Sequence, residues 1–323
     1  MSRSLEGKKV LSRENLETVE IWLRGGLGNQ LFQYGFARAL SEKTSCEILI
    51  RTDLLPAEAD MFMGSNRWTE QISTFRHSGT LFALNHQPPG KTHLLSKMLT
   101  VQRIVGDLAP KTLAHLGVIA GDKFLDWRET SAFISKSRRL TLNNYFNDSE
   151  PIRDVREVLM HELKDVVNPD PRMNKEASRV SGMMAIHIRL GDHVSKTPGL
   201  QQKYKTLIRD AVLELKGLGL DPHFAVFSDQ PELVLQILEE AGLGSNRTTV
   251  VRDIGLRPIE TLYILSSCSG LIASPSTFAW WGGFLQPKST TPIIFKTPWA
   301  ADPTHAPSER IFLSEWLQIP QEY

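Results

Sequence analysis

The chain is short of cysteine, of net charge and of long apolar runs, and each shortage excludes a class of protein. Two cysteines among 323 residues do not make a disulfide scaffold, and they fit a reducing compartment. Lysine and arginine total 37 against 36 for aspartate and glutamate, so the net charge of +1 gives no electrostatic reason to expect a nucleic-acid partner. No apolar run approaches the roughly 18 residues of a transmembrane helix.

The N-terminal residues also lack the apolar stretch of a signal peptide. We therefore expect a soluble cytoplasmic protein, unless a membrane anchor has been removed from the chain. The sequence does not indicate an oligomeric state.

Motifs that would assign a particular chemistry are also missing. Gly26–Leu31 lacks the third glycine of a dinucleotide fingerprint, and a phosphate loop ending at Gly90-Lys91-Thr92 would need a glycine where Asn85 stands. No Asp-x-Asp pair is present to hold a divalent ion on a diphosphate, and no cysteine–histidine cluster has zinc spacing. We therefore expect neither a metal nor a resident cofactor.

The hydrophobic pattern predicts an α/β fold with two domains, because 41% of the residues are apolar and the length suits two cores. In the first half, strands at 19–23 and 47–51 flank a glycine-rich turn and a helix at 29–43, followed by a strand at 140–145 and a helix at 152–166. In the second half, strands and helices alternate regularly, which predicts a parallel, doubly wound sheet. Those strands are expected at 183–188, 223–228, 248–252, 270–273 and 292–295, and the helices at 203–216, 231–241, 258–267 and 276–285.

Proline marks the expected domain boundary, because Asn168-Pro169-Asp170-Pro171 ends the helix before it. We expect a loose segment at 1–17, an N-terminal domain at 18–170 and a C-terminal domain at 171–303. The remaining segment, 304–323, is predicted to form a helix that packs back on the N-terminal domain.

Polar residues follow the predicted strands of the second half. Because the carboxyl ends of parallel strands meet at one edge of a sheet, we expect these residues to line one crevice. They are His187, Arg189 and Asp192 after the first strand, Ser228 and Asp229 after the second, Arg252 and Asp253 after the third, and Ser276 and Thr277 after the fourth.

Arg189 and the start of the helix at Ser276 favour a phosphorylated ligand. A guanidinium carries a permanent charge and a fork of donors that suits phosphate, and a helix N-terminus binds anions through its unpaired N–H groups. Together they could hold a diphosphate without a metal. The alternative is that Ser276 is only an N-cap.

The neighbouring residues leave two roles open in each case. His187 is either a binding group or a satisfied core residue, and Asp192 either orients Arg189 or caps the following segment. Asp229 either binds a base or ribose or starts the next helix. The adjacent Trp280 and Trp281 are predicted to be core residues.

Four segments together resemble the α-1,2-fucosyltransferases, which are inverting glycosyltransferases that use GDP-fucose. The resemblance runs from residue 19 to about 300, and a weaker match lies at 226–229. The four segments are 25–34 (GGLGNQLFQY), 144–146 (NYF), 187–192 (HIRLGD) and 276–282 (STFAWWG).

The resemblance implies a GT-B-like fold, in which two Rossmann-like domains enclose the active site in the cleft between them. The C-terminal half would bind the donor, with Arg189 on the β-phosphate of GDP. The other implied donor-binding residues are His187 and Asp229 near the nucleoside, Ser276 and Thr277 on the phosphates, and Gly26, Gly28 and Gln30 of the glycine turn.

The resemblance also implies an acceptor, the 2-hydroxyl of a β-galactoside within a glycan. Asp192 and His193 are the candidates for a general base by position, and Asn29 is a candidate orienting group in the catalytic set with Arg189. Tyr145 and Phe146 are expected on the acceptor side together with His193. The family commonly has two consecutive arginines, whereas this chain has Leu190 in the second position.

These departures keep two alternatives open. Besides Leu190, His193 replaces the usual tyrosine and Pro275 replaces a small polar residue. One alternative is a related transferase with another GDP-sugar or acceptor. The other is a protein that binds a nucleotide sugar without turning it over.

Overall fold

A computed structural model of the chain describes residues 16–52, 82–85, 92–126, 128, 138–167, 170–190, 199–251, 256–300 and 305–320. These residues form two compact units. The first contains 16–24, 32–52 and the described residues from 82 to 155, and the second contains 25–31 and the described residues from 156 to 320. None of the described helices is both long enough and apolar enough to cross a membrane.

The first unit is built around a five-stranded parallel sheet with the strand order β3-β2-β1-β5-β4. In β1 and β2 the side chains of one sheet face, among them Val19, Ile21, Ile48 and Ile50, are fully buried, and those of the other face are partly buried near the strand starts. Helix α1 (Leu27–Thr44) begins in the second unit and belongs to the first unit from Phe32 onwards. The other elements of the first unit are β1 (Thr18–Trp22), β2 (Glu47–Arg51), β3 (Phe82–Asn85), α2 (Thr92–Leu108), α3 (Pro110–His115), β4 (Val118–Ala120), β5 (Arg139–Asn143) and α4 (Ser149–Ile152).

The second unit contains a six-stranded parallel sheet and the remaining helices. Proline stands in the first turn of α6, α8 and α9, where a missing N–H costs nothing. The elements are α5 (Arg156–Val167), α6 (Pro171–Val180), β6 (Met184–Ile188), α7 (Leu200–Gly217), β7 (Phe224–Ser228), α8 (Pro231–Glu240), β8 (Thr248–Val251), α9 (Pro258–Ser266), β9 (Gly270–Ala273), α10 (Thr277–Phe284), β10 (Ile293–Thr297), α11 (Ser308–Ile311) and β11 (Leu317–Pro320).

The strand order of the second sheet, β8-β7-β6-β9-β10-β11, determines where a ligand should bind. Counted along the chain from β6, this is the 3-2-1-4-5-6 order of a Rossmann fold. The order reverses between β6 and β9, and in such sheets ligands bind outside the carboxyl ends of the two strands at that point. The predicted fold class, α/β with two Rossmann-like units, is confirmed.

The observed units divide at Val155–Arg156, before the boundary that the prolines near residue 170 predict. Helix α5 belongs to the second unit, where it packs against α9. Arg156 also donates hydrogen bonds to the backbone oxygens of Phe284 and Gln286. Pro171 therefore begins helix α6 within the second unit and does not mark a boundary between units.

The prediction of a C-terminal helix is wrong for most of its length. Among the described residues 305–320, only Ser308–Ile311 is helical, and Leu317–Pro320 forms strand β11, which pairs in parallel with β10. The reason is the alternation of apolar and polar residues in this segment, which suits a strand. Leu317 and Ile319 pack against the core of the second unit.

Candidate functional site

A cavity of about 240 Å³ lies at the carboxyl ends of β6, β7 and β9, at the point where the strand order reverses. All of its lining residues belong to the second unit. Three sequence segments that are far apart in the chain meet there. They are the glycine turn at residues 25–31, which includes the start of α1, the end of β6 and the start of α10. The predicted site residues that line it are Gly26, Gly28, Asn29, His187, Arg189, Asp229, Ser276 and Thr277.

Arg189 is held in the cavity wall by its backbone. The Tyr204 hydroxyl on α7 accepts a hydrogen bond from the Arg189 N–H and donates to the Arg189 carbonyl oxygen, both at 3.0 Å. The same hydroxyl lies 2.9 Å from the Ser274 hydroxyl, just after β9. This clamp joins the ends of β6 and β9 through backbone and hydroxyl groups, independently of the guanidinium.

Asp229 fixes the residue after Arg189. Its carboxylate lines the cavity and accepts a hydrogen bond of 2.8 Å from the Leu190 N–H. It does not cap the next helix, because the N-cap of α8 is Gln230. The Leu190 side chain is fully buried in the apolar core of the second unit, which explains why an uncharged residue is accommodated at this position.

The start of α10 combines both roles that the sequence left open for Ser276. Ser276 is the N-cap, although its hydroxyl lies a long 3.5 Å from the Ala279 N–H. Ser276 and Thr277 also line the cavity, so the first N–H groups of α10 are at its edge. The N-terminal end of this helix contributes a partial positive charge there.

The glycine turn is shaped by two positions that need glycine. Gly25 has φ of +77°, in the left-handed region, and a Cβ there would lie 2.6 Å from Nδ2 of Asn29. At Gly28, a Cβ would lie 2.4 Å from the backbone nitrogen of Phe278 and 2.5 Å from the carbonyl carbon of Thr277. The turn therefore packs its backbone directly on the start of α10.

His187 presents a neutral imidazole to the cavity. Loss of hydration lowers the pKa of His187 from its ordinary 6.5 to about 4, and the nearby charge of Asp229 offsets only part of this effect. The ring lies 5.6 Å from the Phe278 ring, centroid to centroid. Its Nδ1 atom is buried and has no hydrogen-bond partner among the described residues.

This pKa predicts how stability depends on pH. Between about pH 6.5 and pH 4 the unfolded chain binds a proton on His187 that the folded protein does not, so the free energy of unfolding should fall as the pH falls. His187→Asn should flatten this dependence by up to about 1.4 kcal/mol per pH unit. Urea unfolding across this pH range measures the slope. Identical slopes for the wild-type protein and His187→Asn would contradict the assignment.

Three predicted site residues lie outside this cavity. Gln30 is fully buried and donates a hydrogen bond of 3.0 Å to the Gly25 carbonyl oxygen, so it braces the turn from behind. Tyr145 and Phe146 belong to the first unit. There the Tyr145 ring covers the Arg24 guanidinium at 4.1 Å, and Phe146 stacks on Phe36 with ring centroids 4.2 Å apart.

Other predicted residues lie outside the described part of the chain. They are Asp192 and His193, the base candidates, together with Arg252 and Asp253 after β8. Within the described part, no three histidine, cysteine, aspartate or glutamate residues are grouped to hold a metal. Metal independence stays a prediction.

The sequence patterns did not identify Tyr204, nor the cavity residues in α9 and in the segment just before it. The sequence shows Tyr204 only as one residue of the buried face of α7, and its hydroxyl is what distinguishes it from the rest of that face. The other buried residues are Leu207, Ile208, Ala211 and Leu215. Leu256, Pro258 and Thr261 contribute largely apolar surface to the cavity, and no local pattern distinguishes them from ordinary packing residues.

Comparison with known proteins identifies the family. A model described as glycosyl transferase family 11 matches residues 97–320, more than half of the chain. The chain belongs to glycosyl transferase family 11. This confirms the family resemblance and makes the protein a glycosyltransferase by family.

The similar proteins include two curated relatives and one solved structure. An Escherichia coli alpha-1,2-colitosyltransferase is 23% identical over 294 residues, which cover 86% of this chain and 90% of that one. The E. coli O-antigen biosynthesis glycosyltransferase WbnK is 20% identical over 315 residues, covering 92% and 99%. An Arabidopsis thaliana FUT1 structure in complex with GDP is 14% identical with a TM-score of 0.47, covering 94% of this chain and 76% of that one.

Proposed function

We propose that this family 11 glycosyltransferase moves L-fucose from GDP-fucose to the 2-hydroxyl of a terminal β-galactoside, with inversion and without a metal. The observation that carries the proposal is the convergence of Arg189, the start of α10 and the glycine turn on one cavity. This arrangement provides a guanidinium and backbone N–H groups for a diphosphate.

In the proposed reaction, the acceptor oxygen attacks the anomeric carbon of fucose from the face opposite the diphosphate. The new glycosidic C–O bond forms as the bond between that carbon and the β-phosphate oxygen breaks. The electron pair of that bond leaves with GDP, and the acceptor proton passes to a base, for which Asp192 and His193 remain the candidates. An oxocarbenium-like transition state places growing negative charge on the departing GDP.

Arg189 and the first turn of α10 would stabilise that charge. Donors already fixed at the position of a developing charge typically contribute a few kcal/mol each, or about 100- to 1,000-fold in rate. The Tyr204 clamp supports this role because it fixes the Arg189 backbone before substrate binds. The neutral His187 and the carboxylate of Asp229 are proposed to contact the nucleoside, beside the apolar surface of Leu256 and Pro258.

A second candidate, transfer of colitose, is favoured by one observation, the name of the E. coli relative. A donor comparison separates the candidates. The purified protein is incubated with GDP-fucose, GDP-colitose or GDP-mannose and a set of β-galactosides, and the linkage and anomeric configuration of each product are read by NMR.

We expect an α-1,2-linked fucosyl galactoside, formed at the same rate with and without EDTA. Transfer from another donor alone would replace the proposed substrate. Binding of GDP without turnover over the whole acceptor panel would favour the non-catalytic alternative. A product linked at another hydroxyl would retain the donor assignment and overturn the acceptor assignment.

A further inference from the structure

The glycine turn is part of the second unit although it lies far from the rest of that unit in the chain. Residues 25–31 are grouped with those after 156, and their only covalent links lead to residues of the first unit. Non-covalent contacts must therefore hold the turn in the cavity wall. One contact is the close approach of Gly28 to Thr277 and Phe278 described above.

The second contact is a hydrogen bond from a buried tryptophan. The indole Nε1–H of Trp281 donates to the Gly28 carbonyl oxygen at 3.0 Å, across 253 residues of sequence. Trp281 is fully buried and lies on α10, one turn after the cavity residues Ser276 and Thr277. The same short helix therefore lines the cavity with its first turn and holds the adjoining glycine turn with its second.

The neighbouring tryptophan is equally buried, but its indole N–H has another acceptor. Trp280 is also fully buried, and its indole N–H donates at 2.7 Å to the carbonyl oxygen of Ile311, on α11. The two rings meet edge to face with centroids 5.1 Å apart. Neither Trp280 nor Ile311 lines the cavity. Comparing substitutions of Trp280 and Trp281 therefore distinguishes the packing of a buried tryptophan from the effect of the Trp281 hydrogen bond on the glycine turn.

We propose that Trp281 is a positioning residue for the donor diphosphate. By fixing Gly28 against the start of α10, it makes the first turn of α1 a second set of N–H donors directed at the same anion. Gly26, Leu27 and Gly28 line the cavity, and Gly26 accepts the first backbone bonds of α1 from Asn29 and Gln30. This inference rests on the proposed function for the identity of the ligand, although the fixing of the turn does not.

The test compares Trp281→Phe with Trp280→Phe, since both remove an indole N–H and keep an aromatic ring. Amide hydrogen exchange without ligand should accelerate about tenfold at Asn29 and Gln30, whose N–H groups donate to the Gly26 carbonyl oxygen, in Trp281→Phe and remain unchanged there in Trp280→Phe. The affinity for GDP, measured by calorimetry, should fall about tenfold in Trp281→Phe and stay within about twofold in Trp280→Phe.

A residue that only packs the core would lower the GDP affinity equally in both variants, and that result would overturn the proposal. Unchanged exchange at Asn29 and Gln30 in Trp281→Phe would also overturn it. If wild-type protein bound no GDP, the proposed function would fail, while the exchange comparison would still decide whether Trp281 holds the turn.

A wild-type measurement covers the case in which Trp281→Phe does not fold. GDP should slow hydrogen exchange at the Trp281 indole nitrogen by several-fold more than at Trp280, because only the first indole is bonded to a cavity residue. Equal slowing at both indoles would contradict the positioning role.

Discussion

Replacing Arg189 with alanine is expected to lower kcat/KM for glycosyl transfer by about 100- to 1,000-fold, the usual loss when a fixed donor to a developing negative charge is removed. The variant should still fold, because Tyr204 and Asp229 bind the backbone at and after position 189 rather than the guanidinium. Unfolding in urea and transfer kinetics with GDP-fucose measure the two effects separately.

Arg189→Lys sharpens this experiment. Lysine retains the positive charge but lacks the planar guanidinium that binds two phosphate oxygens. We therefore expect the kcat/KM of Arg189→Lys to lie between that of Arg189→Ala and that of the wild-type protein. Arg172→Ala is the matched control, because Arg172 is a strongly exposed residue paired with Asp170 and does not line the cavity. Turnover of Arg189→Ala close to that of wild type would remove Arg189 from the mechanism.

Gly28→Ala is expected to weaken GDP binding and transfer by about 100-fold, although alanine is the better residue in most helices. The added Cβ would lie 2.4 Å from the Phe278 nitrogen and 2.5 Å from the Thr277 carbonyl carbon. Both are backbone atoms at the start of α10, so the contact can be relieved only by moving the turn or the helix. Either movement displaces donors from the diphosphate.

Gly217→Ala supplies the matched control, since Gly217 ends helix α7 and a Cβ there has no heavy atom within 4 Å. This variant should keep full activity and be equally stable or more stable, by up to about 1 kcal/mol. GDP calorimetry and thermal unfolding on both variants provide the comparison. Full GDP affinity in Gly28→Ala would show that the turn does not need its close packing on α10.

Much of the second unit follows from local sequence patterns. Between residues 183 and 285, the predicted strands and helices differ from the observed ones by only a few residues at their ends. The agreement is good because the spacing of apolar residues in strands and helices can be read from neighbouring positions in the sequence. Polar residues after parallel strands also predicted the cavity, since parallel strands must end at one edge. His187, Arg189, Asp229 and Thr277 all line it.

Prediction was weaker where an element is short or its packing partner is distant. Strand β4 has three residues, too few for a period, and its position against α2 depends on Gly106, where a Cβ would lie 1.9 Å from the Ala120 carbonyl oxygen. The proline cluster near residue 170 could not reveal that α5 packs on α9. The alternation in residues 317 to 320 suits a strand, but the edge of β10 with which they pair is far from them in local pattern and is set by the tertiary structure.

The sequence by itself determined the α/β class, the order of the elements in the second unit and the chemistry available at the strand ends. These depend on side-chain type and on the repeat of apolar residues, every two positions in a strand and about every 3.6 positions in a helix. Both can be read from neighbouring residues. Only the tertiary structure decided that Gly28 packs on Thr277, that Tyr204 clamps Arg189 and that Trp281 bonds to Gly28. Such contacts join segments that are far apart in the chain. They can form and contribute to stability only after the sheet has brought those segments together.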